Sequence, residues 1–252
     1  MARWPTARVL RKIPTGPNPP PSDLFTLLGS DLRVFYDTRF GGEFAPGLWT
    51  AHRDLVSGLR LSAPSLATRV ASAADGSNFK GRQVQRIASA GNTKLTNRFC
   101  GNIVPAGSTP EIFMVARVVT FPAAFAQIVG CANAFGSTSV GAQLYVVNAT
   151  TYASVVGGAQ TAATFSDTSA PHIFDSFNDG ANSVNLVDNT VISTVPVPAT
   201  AFDTEQIAVG GLQVGFTISA DAFVAAWGII NPPMTSAKRT RFNDILRNDW
   251  GF

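Results

Sequence analysis

The chain has 252 residues, 45% of them apolar and only 14% charged, with 22 Gly and 16 Pro. That length and apolar content suit one large β domain with a substantial core. The low charge, against a usual share of roughly 25%, points to a neutral or partner-covered surface, and no apolar run reaches the ~18–20 residues of a membrane-spanning helix.

Residues 1–22 form a basic arm. They carry Arg3, Arg8, Arg11 and Lys12 with no acid, so the formal net charge of +3 is placed in this stretch and not in the body of the chain. The other 230 residues hold 15 Lys or Arg against 16 Asp or Glu. Prolines follow the basic residues where a secretory leader would place an apolar core. Residues 13–22 are held to extended or polyproline geometry and act as a stiff spacer. A frayed terminus is one reading of the arm. The apolar side chains of Trp4, Val9, Leu10 and Ile13 among the basic ones favour an anchor on a neighbouring protein. The docking set is then Arg3, Trp4, Arg8, Leu10, Arg11 and Lys12. Four charges without aromatic interleaving or a folded groove do not make a nucleic-acid surface.

Residues 23–252 read as one domain. Asp23 to Leu28 suits a helical turn, and Leu32 to Asp37 a strand. Phe40 to Arg53 and Ala71 to Phe79 lack periodicity and read as long loops, with short strands at Val84–Ile87 and Lys94–Phe99. Glu111 to Phe121 is apolar on both faces apart from Arg117, which predicts a strand central in a sheet. Further strands are expected at Gln127–Ala132, Gln143–Asn148, Tyr152–Val156, Thr161–Phe165 and His172–Asn178. Asp179-Gly180 then supplies a turn. Ser183–Val187 and Thr190–Thr194 flank Asp188-Asn189, a two-residue hairpin turn.

The last quarter contributes strands at Gln206–Gly210, Gln213–Ser219 and Phe223–Asn231, stopped by Pro232-Pro233. Thr235-Ser236 supply an N-cap. Phe242, Ile245, Leu246 and Trp250 fall on one face of a closing helix, with Lys238, Arg239, Arg241, Asp244, Asn248 and Asp249 on the other. Ten or more short strands at intervals of about ten residues predict an all-β antiparallel two-sheet sandwich with a short C-terminal helix. Cys100 and Cys131 either bridge or stay as two buried thiols; without a secretory leader the thiols are favoured.

The order of short motifs resembles the laminin-G-like, concanavalin-A-like jelly-roll family. Phe35-Tyr36-Asp37 precedes Leu48-Trp49 as in the opening of such domains. The close of the chain runs through Val187-Asp188-Asn189, Ile207 to Gly211, Trp227-Gly228 to Asn231, Met234 to Arg239, and Ile245 to Phe252. Asn189 departs from the family's usual Asp-Gly turn. The resemblance spans residues 31–252 and implies two curved antiparallel sheets face to face. Jelly-roll domains behind a short arm are similar to structural proteins of tailed bacteriophages. The function this implies is a non-enzymatic virion protein (head decoration, fibre or tail component), homo-oligomeric, assembled in the host cytoplasm, with capsid or tail proteins as partners.

Individual side chains bear on the other function classes. The jelly-roll glycoside hydrolases use a Glu-x-Asp-x-x-Glu strand, and Glu occurs here only at 43, 111 and 205, each isolated. His52 and His172 have no Ser elbow or Cys motif beside them. No Cys-x-x-Cys, His-x-x-x-His or EF-hand loop is present, so neither metal nor cofactor is expected; Asp179 and Asp188 are assigned to turns. The alternative function is a carbohydrate-binding adhesin for host surface glycans, with Trp49, Tyr145, Tyr152 and Phe177 as candidate aromatic platforms.

Overall fold

The computed structural model describes residues 21–63, 70–76, 78–88, 94–97, 103–105, 108–120, 126–132, 142–148, 150–156, 159–196, 206–210 and 220–252. The segment Gln213–Ser219, Cys100 and most of the basic arm, with Arg3, Trp4, Arg8, Leu10, Arg11 and Lys12, lie outside them.

The centre is a layer of long strands. β1 (Leu32–Asp37), β8 (Glu111–Thr120), β13 (His172–Asn178), β14 (Ser183–Val187), β15 (Thr190–Val195) and β17 (Asp221–Ile230) pair antiparallel in the order β15-β14-β13-β8-β17-β1. A second layer runs β12-β11-β10-β9-β16-β7. It is built from β7 (Lys94–Asn97), β9 (Ala126–Ala132), β10 (Ala142–Asn148), β11 (Thr151–Val156), β12 (Ala159–Thr164) and β16 (Gln206–Gly210).

The expected two discrete sheets are replaced, among the described residues, by one continuous antiparallel network of 17 strands that curls back and nearly closes. Short strands make the corner. β2 (Gly42–Ala45) pairs with β3 (Leu48–Arg53), and β3 pairs with both β4 (Arg60–Ser62) and β5 (Val70–Ala74). β4 reaches the second layer through Ser62 and Thr96, while β5 continues through β6 (Gln83–Ile87) to β17. Three of these corner strands occupy stretches expected to be loops. A register shift opposite Glu43 and Phe44 breaks the alternation of β3, and β5 is Val-Ala-Ser-Ala-Ala, whose small residues carry no visible period.

Two apolar clusters follow from strand alternation. Ile112, Met114, Ala116 and Val118 of β8 point between the layers, where they meet Tyr36, Trp49, Leu144, Phe174, Val209 and Trp227. Phe113 and Val115 point the other way and are covered by two helices. β8 is therefore apolar on both faces because both faces are buried. Trp227 precedes Gly228, where a Cβ would come 2.3 Å from the Val34 carbonyl oxygen, so close approach of β1 and β17 requires glycine there.

Helices α1 (Ser22–Leu28) and α2 (Ser236–Trp250) form the outer cover. The Thr235 side chain caps α2 by accepting from Lys238 N–H at 3.3 Å. Phe242, Ile245, Leu246 and Trp250 are all buried, and Phe242 meets Phe113 edge-on at 4.8 Å. Burial of four such side chains contributes roughly 6–12 kcal/mol as an upper bound. One residue assigned to the polar face of α2 lies inside: Arg239 is 4% exposed and pairs with Glu111 and Asp175. Cys131 carries a free, buried thiol, pushed by burial up to about 12. No helix among the described residues is long and apolar enough to cross a membrane.

Candidate functional site

The β2–β3 hairpin carries the described aromatic with the greatest exposure. Pro46 and Gly47, the latter at φ +71°, turn the chain between the two strands. Among the described residues β2 pairs only with β3, and Phe44 projects from this edge with 57% of its surface exposed. Its ring lies against Trp49, its register partner, at 4.4 Å between centroids, and Trp49 is itself 0% exposed. Gly42 makes this possible. A Cβ there would stand 2.6 Å from the Phe44 ring and 2.7 Å from Trp49 Cζ3.

Behind Trp49 the rings continue inward. Trp49 contacts His52 at 4.8 Å, His52 contacts Tyr36 at 5.2 Å, and Tyr36 stacks on Trp227 at 4.8 Å and 16°. The ladder thus runs from the exposed Phe44 to the middle of the core and joins the aromatic motifs from both ends of the chain. His52 fixes its orientation. Nε2 lies 3.1 and 3.0 Å from the carbonyl oxygens of Asp37 and Phe40, so it donates, and Nδ1 accepts from Gln85 Nε2 at 3.0 Å. Burial pulls the imidazole down to about 4, partly opposed by those carbonyls, and the ring is neutral at pH 7.

The other face of the hairpin is polar. Glu43 alternates with Phe44 and is gripped by Arg60 at 3.0 and 2.7 Å and by Arg53 at 3.2 Å, while Thr50 Oγ1 donates to its carbonyl at 2.9 Å. The Arg60 hydrogen bonds hold its carboxyl below the usual range. These contacts are exposed and contribute little to stability, but they tie β2 to β3 and β4 and keep the Phe44 ring in place.

The four aromatics named from the sequence are not gathered into one surface. Trp49 is the buried support beneath Phe44. Tyr145 is 1% exposed, packed with Ala153 and Val155 on the outside of β10 and β11. Tyr152 is fully buried against Phe174 at 4.9 Å. Phe177 is half-buried and lies under the Arg239 guanidinium at 4.2 Å. Burial removes Trp49, Tyr145 and Tyr152 as platforms. Phe44 had no signal in the sequence, because its exposure depends on an edge strand hidden in a glycine-rich stretch.

The titratable side chains hold structural posts. Asp179 accepts from the amides of Ala181 and Asn182 at 2.9 and 2.7 Å, and Asp188 sits at φ +53° in the β14–β15 turn. Among the described residues no three His, Cys, Asp or Glu side chains are placed to hold a metal ion. His172 Nδ1 pairs with Asp188 at 2.7 Å. Its Nε2 is 3.3 Å from Asp167, an ion-pair contact without hydrogen-bond geometry. Glu111, Asp175 and Arg239 form a buried triad in which Asp175 Oδ1 has no partner among the described residues. Burial, reinforced by the neighbouring Glu111 and opposed by Arg239, pushes the Asp175 pKa well above its ordinary value.

No family model and no curated protein matches the sequence. Solved structures match in fold. The ligand-binding domain of botulinum neurotoxin serotype D, in complex with N-acetylneuraminic acid, aligns with a TM-score of 0.56 at 10% identity over 88% of this chain and 52% of that one. The receptor-binding domain of botulinum neurotoxin type G aligns at 0.54 and 9% identity over 88% and 54%. Trypanosoma rangeli sialidase aligns at 0.53 and 13% identity over 88% and 34%. The chain thus spans about half of the toxin domains and about a third of the sialidase, and at these identities the likeness is one of fold.

Proposed function

We propose that this chain is a carbohydrate-binding domain and that Phe44 is its contact surface. The observation that carries the reading is the exposed Phe44 ring, held on a rigid aromatic support at a sheet edge. An aromatic face presented this way suits the apolar C–H face of a pyranose ring, and the water-excluding contact rewards a platform whose side-chain entropy is already lost. The fold likeness to a toxin domain solved with N-acetylneuraminic acid adds support at the level of architecture. The reading is one of binding without catalysis: among the described residues Glu43 and Glu111 are both committed to arginines. The particle-docking reading of the basic arm rests on residues outside the described ones, and no observation favours it over the glycan reading.

A glycan array followed by titration in solution tests the proposal. Saturable binding to a defined sugar, lost in Phe44→Ala at unchanged melting temperature, is the expected result. A silent array, or a Phe44→Ala protein that binds as the wild type does, overturns it.

A further inference from the structure

Arginines of the described residues are largely spent on carboxylates: Arg39 on Asp37 and Asp249, Arg117 on Asp75, Arg239 on Glu111 and Asp175, Arg247 on Asp188. Arg86 differs. It is half-buried on β6, its guanidinium carbon lies 4.7 Å from the centre of the Phe223 ring, and it has no acidic partner among the described residues. Its hydrogen bond runs from Nη1 to the Ile87 carbonyl at 3.0 Å. The Nε–H and Nη2–H edge is left without a partner among those residues.

The surrounding geometry fixes that edge in place. Phe223 is the register partner of Arg86 on one side and of Arg117 on the other. Arg117 lies 5.1 Å from the same ring and is itself held by Asp75 and by the Thr168 carbonyl at 2.9 Å. Phe223 is therefore clamped between two guanidiniums and packs against the helix-side cluster. Val70 of β5 points between the layers, so Ala71, the register partner of Arg86, and the row Arg86–Phe223–Arg117 face outward. Phe44 and Trp49 belong to the opposite face.

We propose that Arg86 is an oxyanion-binding site, taking two oxygens of a carboxylate, sulfate or phosphate group through Nε–H and Nη2–H. A guanidinium edge matches the oxygen spacing of such groups in a bidentate contact. Stacking on an aromatic ring holds the planar fork in one orientation before the ligand arrives. The site is independent of Phe44, so failure of the glycan reading leaves it intact.

The test is a titration of the full chain, labelled with 15N-arginine, with sodium sulfate, inorganic phosphate and acetate at constant ionic strength. The Arg86 Nε–H resonance, assigned by its absence in Arg86→Gln, is expected to move saturably, while that of Arg241, exposed on α2, stays in place. Arg86→Lys, which keeps the charge but not the fork, is expected to weaken binding by about tenfold. Sulfated, phosphorylated and uronate-bearing disaccharides distinguish the sources. One that binds at least about tenfold tighter than its parent ion identifies the carrier, and equal binding assigns the free ion. Equal, unsaturated shifts at Arg86 and Arg241 overturn the proposal. So does sulfate binding by Arg86→Gln at wild-type strength with an unchanged melting temperature.

Discussion

Arg39 and Asp249 stand 210 residues apart in the chain, yet Arg39 Nη1 donates to Asp249 Oδ1 at 2.8 Å. The same guanidinium grips Asp37, which is fully buried at the end of β1, and lies 4.6 Å over the Trp250 ring. Lys80 and Arg82 add donors to the last carbonyls of α2, at 2.7 Å to Asn248 and 2.8 Å to Asp249, where the helix dipole favours cations. The first strand and the last helical turn are thus one electrostatic unit, and the two motifs that mark the ends of the fold meet in it.

Arg39→Gln should be strongly destabilising. Burial already raises the Asp37 pKa against the lowering by Arg39, so removing the arginine leaves a buried carboxyl without its counter-charge. Breaking such a pair costs about 3–5 kcal/mol. The double variant Asp37→Asn/Arg39→Gln should recover a large part of that loss. Denaturant melts of both single variants and the double close the cycle; a double no more stable than Arg39→Gln contradicts it.

The two histidines should bend the stability profile in opposite directions. His52, at about 4 in the fold against an ordinary 6.5, excludes a proton that the unfolded chain accepts. Its contribution is complete above pH 6.5 and is lost as pH falls toward 4, on the order of 3 kcal/mol. His172 behaves in reverse. Partial burial opposes its charge, but the hydrogen bond to Asp188 and the charges of Asp188 and Asp167 outweigh it, and its pKa is raised above 6.5. Its contribution is complete below 6.5 and is lost as pH rises through the folded value. Imidazole C–H titrations by NMR should separate the two, and His172→Gln should flatten the alkaline limb alone.

These elements differ in how far they could be read from the sequence. The double-faced apolar run of β8 and the stripe Phe242, Ile245, Leu246, Trp250 were legible, because periodicity reports burial directly. Arg239 was not. It borders that stripe, and a charged residue there reads as solvent-facing until Glu111 and Asp175 are brought to it from other strands. The β2–β3 hairpin was hidden for a different reason: Gly41-Gly42 and the irregular register of β3 erase the two-residue period. Trp49 was one of four candidate platforms, any of which could equally be core, and it proves to be the support, since only the pairing of Phe44 with Trp49 decides which ring lies outside.

Gly42→Ala tests that arrangement. The added Cβ meets the exposed Phe44 ring, which can swing aside, and the buried Trp49, which cannot. A stability loss of about 1–3 kcal/mol is expected, and, on the proposed glycan contact, the affinity should fall as in Phe44→Ala. Phe44→Ala itself should change stability by only about 0.5 kcal/mol, as an exposed site does. A Gly42→Ala protein with wild-type stability and binding would show that the ring is not held by Gly42.

Glu111 and Asp175 should respond differently to the same chemical change. Glu111 accepts from Arg239 Nε at 2.8 Å and Nη2 at 2.9 Å and from the Met234 amide at 2.6 Å, which anchors the lead-in to α2. Burial and the Glu111 charge raise the Asp175 pKa, and one of its oxygens lies 3.1 Å from Arg239 while the other is unpartnered among the described residues. Asp175→Asn replaces a carboxyl whose charge burial already disfavours by a neutral group of the same shape, and a change within about 1 kcal/mol is expected. Glu111→Gln puts an amide where two charge-assisted bonds converge and leaves Arg239 short of a counter-charge in the interior, a loss of about 3–5 kcal/mol. Urea melts at neutral pH rank the two variants. Equal losses for both variants would mean that Asp175 shares Arg239 with Glu111 on equal terms.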